Sequence, residues 1–314
     1  MYLRRRYRLG DPNKKRNTII FVIVLVILVF VLLVNGQIGL ELAERETAQS
    51  AFQVHMIDVG QGDAVLVIAD GHAMLVDAGD ADHGDEAAAY LAQMGIEKLD
   101  RLVVSHLHAD HIGGVPAVLA SVKAAQIAEP VCPETLLPTN DTFKHYLTAV
   151  RDEGAQYRTY AAGDRFNLGS AEVRVLAPRE DAVPEQLNDT SLVLRVTYED
   201  RTVLLTGDME NAEETALLED YDADALYADV LKVAHHGSAY TTSEAFLKAV
   251  APRYAFISCA KENDYGHPAG QTLDRLAAVG ASVHITAEKG SFYYYYDPEQ
   301  GLEGVSAKRR RATT

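Results

Sequence analysis

A chain of 314 residues, 48% apolar and 24% charged, has the composition of an ordinary globular α/β protein and lacks the signature of disorder. Its formal net charge of −16 is unevenly placed, because residues 1–16 hold seven Lys or Arg against one Asp and leave the remainder strongly acidic. Such a body is a poor non-specific binder of nucleic acid, although phosphate chemistry at a metal site, where the cations supply the positive charge, stays open.

Residues 1–17 read as a basic cytoplasmic tail. Residues 18–34 (TIIFVIVLVILVFVLLV) carry no charge and no polar face. As a helix these seventeen residues would rise about 26 Å, near the lower limit for crossing a bilayer. Basic residues before the run and acidic ones after it orient the amino terminus inward. Asn35-Gly36-Gln37 follows directly in place of a small-x-small cleavage site, so the segment is predicted to be an uncleaved, single-pass anchor in the cell membrane. Residues 35–50 form a linker, residues 51–297 a folded domain outside the cytoplasm, and residues 298–314 a tail.

Within the domain, strands are predicted at 52–58, 64–69 and 73–76 from alternation and β-branched content. A helix over 86–94 ends at Gly95. A buried strand at 102–104 precedes helices at 115–122 and 143–151. Strands follow at 165–168, 172–176, 192–198 and 202–205. The last third alternates helix and strand: 212–218, 230–233, 244–250, 254–258, 273–279 and 282–285, closed by a strand at 292–296. Each half is a series of strands followed by alternating helices, which predicts two packed mixed sheets with helices outside. Cys132 and Cys259 are too few for a disulfide scaffold. They read as isolated thiols, with one disulfide open for a domain in an oxidising compartment.

The segment Ser105-His106-Leu107-His108-Ala109-Asp110-His111 puts three imidazoles and a carboxylate on one strand-to-helix loop. These are preferred ligands of zinc and its neighbours. Asp208 ends a second strand and could be a ligand or a helix cap. Another strand ends in His235-His236; on strand geometry one of the two at most faces a metal. His267 follows the strand at 254–258.

These segments, together with Ile57 to Asp63, Leu75 to Gly79, Asn188 to Leu194 and Lys232 to Ser238, resemble the metallo-β-lactamase fold superfamily. More narrowly, the chain is similar to the hydrolase domain of ComEC-type DNA-uptake proteins and to phosphorylcholine esterases. The resemblance implies an α/β fold, a four-layer αββα sandwich preceded by one transmembrane helix, with a two-metal cleft between the sheets. It implies His106 and His108 on the first metal, Asp110, His111 and His235 on the second, and Asp208 bridging the two. No histidine lies between His145 and His235, so the first metal is one protein ligand short.

By the same resemblance Asp110 and His267 are the catalytic groups, and Asp63, Asn188, Ser191, His236 and Ser238 contact substrate; His267 reads equally as a loop histidine before a proline, and His236 and Ser238 as residues that only shape their loop. Asp58 and Asp77 support the ligands from behind. The cofactor is two divalent ions, zinc, with manganese as the alternative. The expected activity is phosphodiester cleavage by a metal-bound hydroxide, on DNA or on a wall or lipid diester. The alternatives are hydrolysis of a lactone, thioester or β-lactam, or a non-catalytic part of a DNA-uptake or envelope machine. No protein partner follows from the sequence.

Overall fold

The computed structural model describes residues 50–307. The predicted anchor at 18–34 lies outside them; no helix among the described residues is long and apolar enough to cross a membrane. Residues 51–307 form one compact unit.

Its first half runs β1 (Phe52–Met56), β2 (Val65–Ala69), β3 (His72–Val76), α1 (Gly84–Gln93), β4 (Lys98–Leu99), β5 (Arg101–Val103), α2 (Ala109–Ile112), α3 (Val115–Ser121), β6 (Lys123–Ala124), β7 (Gln126–Pro130), α4 (Asp141–Glu153) and β8 (Gln156–Tyr160). The second half begins with β9 (Arg165–Leu168), β10 (Ala171–Ala177), β11 (Val193–Tyr198), β12 (Arg201–Leu205), α5 (Asn211–Asp220), α6 (Ala223–Leu226) and β13 (Val230–Lys232). It continues through α7 (Glu244–Val250), β14 (Tyr254–Ile257), α8 (Gly270–Ala278), β15 (Ser282–Ile285) and α9 (Thr286–Lys289) to β16 (Phe292–Asp297) and β17 (Leu302–Ala307).

Two large mixed sheets result. The first has the order β17-β16-β1-β2-β3-β5-β7-β8, and the second β15-β14-β13-β12-β11-β10-β9. Side chains alternate between the faces of a strand, so a strand buried on both faces must be apolar throughout. On β2, Val65 and Val67 face the second sheet's Val173, Leu194 and Val203, while Leu66 packs outward against Leu91 and Val118 of the helices. On the second sheet, Leu204 and Leu231 pack outward against Leu217, Phe246 and Leu276. Three apolar interfaces therefore separate four layers, the αββα sandwich expected.

The structure adds strands that the sequence reading did not assign. β7 contains Glu129, whose burial is met by the Tyr146 hydroxyl at 2.5 Å and by that of Tyr157. β8 is an edge strand exposed at four of its five positions, so it has no apolar alternation to read. β17 pairs along the whole of β16 and carries the domain to Ala307, past the boundary expected at 297. β16 in turn pairs with β1, Phe52 opposite Tyr296, so the chain's last long strands complete the sheet its first strand begins.

In both sheets the parallel strands share one direction, β3-β5-β7 in the first and β12-β13-β14 in the second. Loops at the carboxyl ends of such strands are where ligands bind in open α/β sheets. All the predicted metal ligands stand in the segments that follow β5, β12 and β13, Asp110 and His111 on the short α2. The loop after β5 lies against the turn after β3: Ala78 N–H donates to His111 O at 2.9 Å, and Gly114 N–H to Gly79 O at 3.0 Å. A side chain at Gly114 would collide with Ala78 O and come within 2.8 Å of Gly84 Cα, both backbone atoms. Gly114→Ala should therefore cost about 3 kcal/mol in denaturant unfolding; a cost below about 1 kcal/mol would show that the two turns are not held this close.

Candidate metal centre

The end of β3 sets the position of the histidine loop. Asp77 adopts a left-handed backbone, φ 60°, which aims its carboxylate under the loop after β5. It accepts hydrogen bonds from Ser105 N–H at 2.7 Å, Ser105 Oγ at 2.6 Å and His111 Nδ1 at 2.8 Å. A proton held on His111 Nδ1 leaves Nε2 facing outward as a ligand, the arrangement by which a carboxylate fixes a metal-binding imidazole. Asp77 thus lies behind the histidine loop, where the sequence places it.

His111 Nε2 faces Asp208 Oδ2 at 3.3 Å, and His236 Nε2 lies 3.3 Å from both that oxygen and Asp110 Oδ2. The ligand atoms of Asp110, His111, Asp208 and His236 all fall within 4.8 Å of one another. Beside them, His106 Nε2 and His108 Nδ1 approach to 2.9 Å. The histidine loop and Asp208 thus come together as predicted.

The pair at 235–236 departs from expectation. His236, not His235, completes the cluster. β13 ends at Lys232, and both histidines have left-handed backbone, φ 47° and 53°, so strand alternation no longer governs them. His236 is 1% exposed, and its Nδ1 donates to Ser258 O at 2.9 Å, which leaves Nε2 toward the carboxylates. His235 stands at the margin, its Nε2 3.8 Å from Asp208 Oδ2 and its Nδ1 3.4 Å from Glu210.

The expected substrate contacts and Asp58 have the following partners within the protein. Asp63 is buried and ion-paired with Lys232. Ser191 Oγ accepts from Asp208 N–H at 3.1 Å and so holds that residue's backbone. Ser238 is buried and shapes its own loop, accepting from Tyr240 N–H and from Thr272 Oγ1. Asp58 accepts from Gly60 N–H at 3.4 Å within its turn and contacts none of the ligands by hydrogen bond. Asn188 is buried beside His108 and donates to Glu210 at 2.8 Å. His267 closes the cleft, its ring 5.5 Å from that of His235 and stacked on Tyr265. Both cysteines are free thiols.

Lys232 was missed by sequence reasoning. The signal was a lysine within an otherwise apolar strand, Val230-Leu231-Lys232-Val233. Its ammonium is 2% exposed, donates to Gly207 O at 2.7 Å, binds Asp63 and lies 3.6 Å from Asp208 Oδ1. Burial would raise the Asp63 acid, but the Lys232 charge, then His236, hold it below the usual carboxylate range. With one Asp208 oxygen against Lys232, the other is left to face the imidazoles.

The residues fit a metal ion. His111 Nε2 and His236 Nε2 are buried without a hydrogen-bond partner, and each lies 3.3 Å from Asp208 Oδ2. Burial opposes charge on His111 and His236, yet the carboxylates of Asp208 and its neighbours hold both imidazoles protonated well above their ordinary range. The cluster therefore calls for positive charge at its centre, and a metal ion would replace those protons. His106 and His108 are kept neutral by burial first, which preserves their lone pairs.

A family model described as metallo-beta-lactamase superfamily matches residues 57–261. ComE operon protein 3 of Bacillus subtilis (strain 168) is 31% identical over 271 residues, which cover 81% of this chain and 34% of that protein. Competence protein ComA of Neisseria gonorrhoeae is 30% identical over 255 residues, 81% of this chain and 33% of that protein. The chain spans about a third of the length of these curated relatives. The metallo-beta-lactamase fold protein YhfI from Bacillus subtilis superposes with a TM-score of 0.51 at 15% identity, covering 76% of this chain and 96% of that one. At that identity the likeness speaks for the fold alone.

Two predictions follow from the geometry. His236→Ala should lower metal content at the Asp110–His111–Asp208 cluster by at least tenfold in occupancy at limiting metal, and His235→Ala should lower it less. Elemental analysis of dialysed protein checks this, and the reverse order would restore His235 as the ligand. Lys232→Met should cost about 3–5 kcal/mol in unfolding by stranding Asp63, and adding Asp63→Leu should recover most of it. A single variant as stable as the parent would mean that the pair does not hold the floor of the site.

Proposed function

The chain belongs to the metallo-beta-lactamase superfamily, in its ComEC-type branch, and from that premise we propose that it is a membrane-anchored metallo-hydrolase that cleaves phosphodiester bonds outside the cytoplasm. One observation carries the reading: the imidazole and carboxylate cluster of Asp110, His111, Asp208 and His236, set beside the His106–His108 pair. The apolar run at 18–34 supports the anchor, and the names of the competence relatives support a role in handling DNA or another envelope phosphodiester.

His106 and His108 would hold the first divalent ion and Asp110, His111 and His236 the second, with Asp208 between them; the ligand set suits zinc or manganese. When bound, the two ions supply Lewis acidity and a nucleophile available at neutral pH. The remaining work falls to the protein. Two imidazoles, those of His106 and His108, would serve the first ion and would leave it free to take substrate oxygens. Asp110 keeps about a third of its side chain exposed, so its carboxylate can accept a hydrogen bond from the attacking water and orient it. Asp77 and Ser258 keep His111 and His236 in the tautomers that ligate. Ser191 and Lys232 fix Asp208 from two sides.

His267 is pushed down to about 4, by burial first and then by the charges of His236 and His235. Above that pH its imidazole is neutral and offers a hydrogen bond to a phosphoryl oxygen, not a full proton to the leaving group. The acid limb of a pH–rate profile between 5 and 7 is then not set by this group. His267→Gln, which keeps a donor, should retain more activity than His267→Ala, for which a loss of about 10- to 100-fold is expected. If the acid limb vanishes in His267→Gln, the histidine is the titrating acid after all.

Bis-p-nitrophenyl phosphate hydrolysis by the full chain tests the reaction class. Activity should fall by at least 100-fold in His108→Ala and in Asp208→Ala, vanish on chelation, and return with zinc or manganese. Bound metal without diester turnover would direct attention to lactone or thioester bonds. A folded protein that takes up no metal would point to a non-catalytic component.

A further inference from the structure

A cavity flanks the candidate metal centre. It has a volume of about 760 Å³ and lies between the 178–189 loop and α5. Its lining is partly apolar, with Leu176, Pro178 and Leu217, and otherwise acidic: Asp181, Glu185, Asp189, Glu210, Glu213 and Asp220. The one cation in the lining, Arg179, is spent on Asp220, to which it donates two hydrogen bonds of 2.5 and 2.6 Å.

Most of the better-buried acids have partners. Glu210 accepts from Gln186 Nε2 at 2.6 Å and from Asn188 Nδ2 at 2.8 Å. Asp189 accepts from the backbone N–H groups of Glu185 and Gln186. Glu213 is different. It is 7% exposed, and neither of its carboxylate oxygens has a hydrogen-bond partner. A buried acid without a partner is costly to keep and calls for an explanation. Burial, and then the neighbouring Asp189, hold it well above the usual carboxylate range. What this wall of the cavity lacks is a positively charged hydrogen-bond donor.

We propose that this cavity binds a ligand that carries a primary ammonium group on an aliphatic chain, with Glu213 accepting from the ammonium and Leu176, Pro178 and Leu217 packing the chain. A divalent ion is the wrong occupant. Such ions need several oxygen ligands converging at once, and among the described residues Glu213 joins no group of three potential ligands. A quaternary ammonium has the charge but no N–H to give the unpartnered oxygens. The location adds meaning. Glu210, in the cavity wall, is bonded to Asn188 beside His108 and lies 3.4 Å from His235 Nδ1, so an occupant sits on the flank of the hydrolytic cleft. The proposal goes beyond the phosphodiester reading and does not depend on which bond is cleaved.

The test is calorimetric titration of the full chain with n-butylammonium chloride, 1-butanol and tetramethylammonium chloride. The expected result is binding of n-butylammonium, with the neutral and the quaternary probes each at least tenfold weaker. Glu213→Gln should weaken n-butylammonium at least tenfold without lowering the thermal midpoint. Ala212→Phe, at an exposed position of the lining, serves as a second variant that fills the cavity and should weaken binding as well. Absence of n-butylammonium binding, equal binding of tetramethylammonium, or unchanged affinity in both variants would overturn the proposal. Absence of diesterase activity would leave these outcomes unaltered.

Discussion

At the carboxyl end of β3 one carboxylate accepts hydrogen bonds from a backbone amide, a hydroxyl and an imidazole. Asp77 can do this only because its backbone turns left-handed as the strand ends, and because β5 runs parallel beside β3 with Val76 opposite Val103. The register of two buried strands thus becomes the orientation of one ring nitrogen. Everything downstream in the site depends on that transfer: His111 faces Asp208, Asp208 faces His236, and the second sheet is brought into chemical contact with the first. The link is repeated across the sandwich by Leu192 N–H to Ser105 O and by Ser258 Oγ to Gly62 O.

Charge makes the same point. An acidic body gathers carboxylates where imidazoles crowd together, and it would pull the cluster apart without internal cations. Lys232 is the protein's own cation there, buried between Asp63 and Asp208. It balances the back of the site while leaving the front to be balanced by ions. A buried lysine with one partner removed would be a liability; with both it is a fixed post.

The histidine loop was legible because three imidazoles and a carboxylate in so short a stretch have few structural uses, and Asp208 because it ends an apolar strand. The sandwich was legible from the ordering of strands before helices in each half. His236 was not, since the alternation rule assumes extended backbone and the chain has already turned at Ala234. Lys232 was hidden because burial of a lysine is rare enough that a strand containing one reads as apolar with an accident. β8 was hidden for the opposite reason: its side chains mostly face solvent, and an edge strand held by hydrogen bonds on one side needs no hydrophobic pattern. The partners of Asp58 and Asp63 were not legible, because they depend on how a turn closes and on how β13 packs against it.

The pairing of β16 with β1 has a consequence for how the domain is made. The first strand of the domain to emerge during synthesis waits for nearly the last before its open edge is covered. Contacts so distant along the chain form late and slowly. Until then β1 offers an unpaired, largely apolar edge to whatever is near, a ribosome surface, a translocation channel or a chaperone. Premature termination anywhere before residue 292 would leave that edge exposed and the inner core without Phe292 and Tyr294. Quality control of this protein would therefore act on the domain as far as β16 at once, since a piece that ends before β16 leaves β1 unpaired on that side.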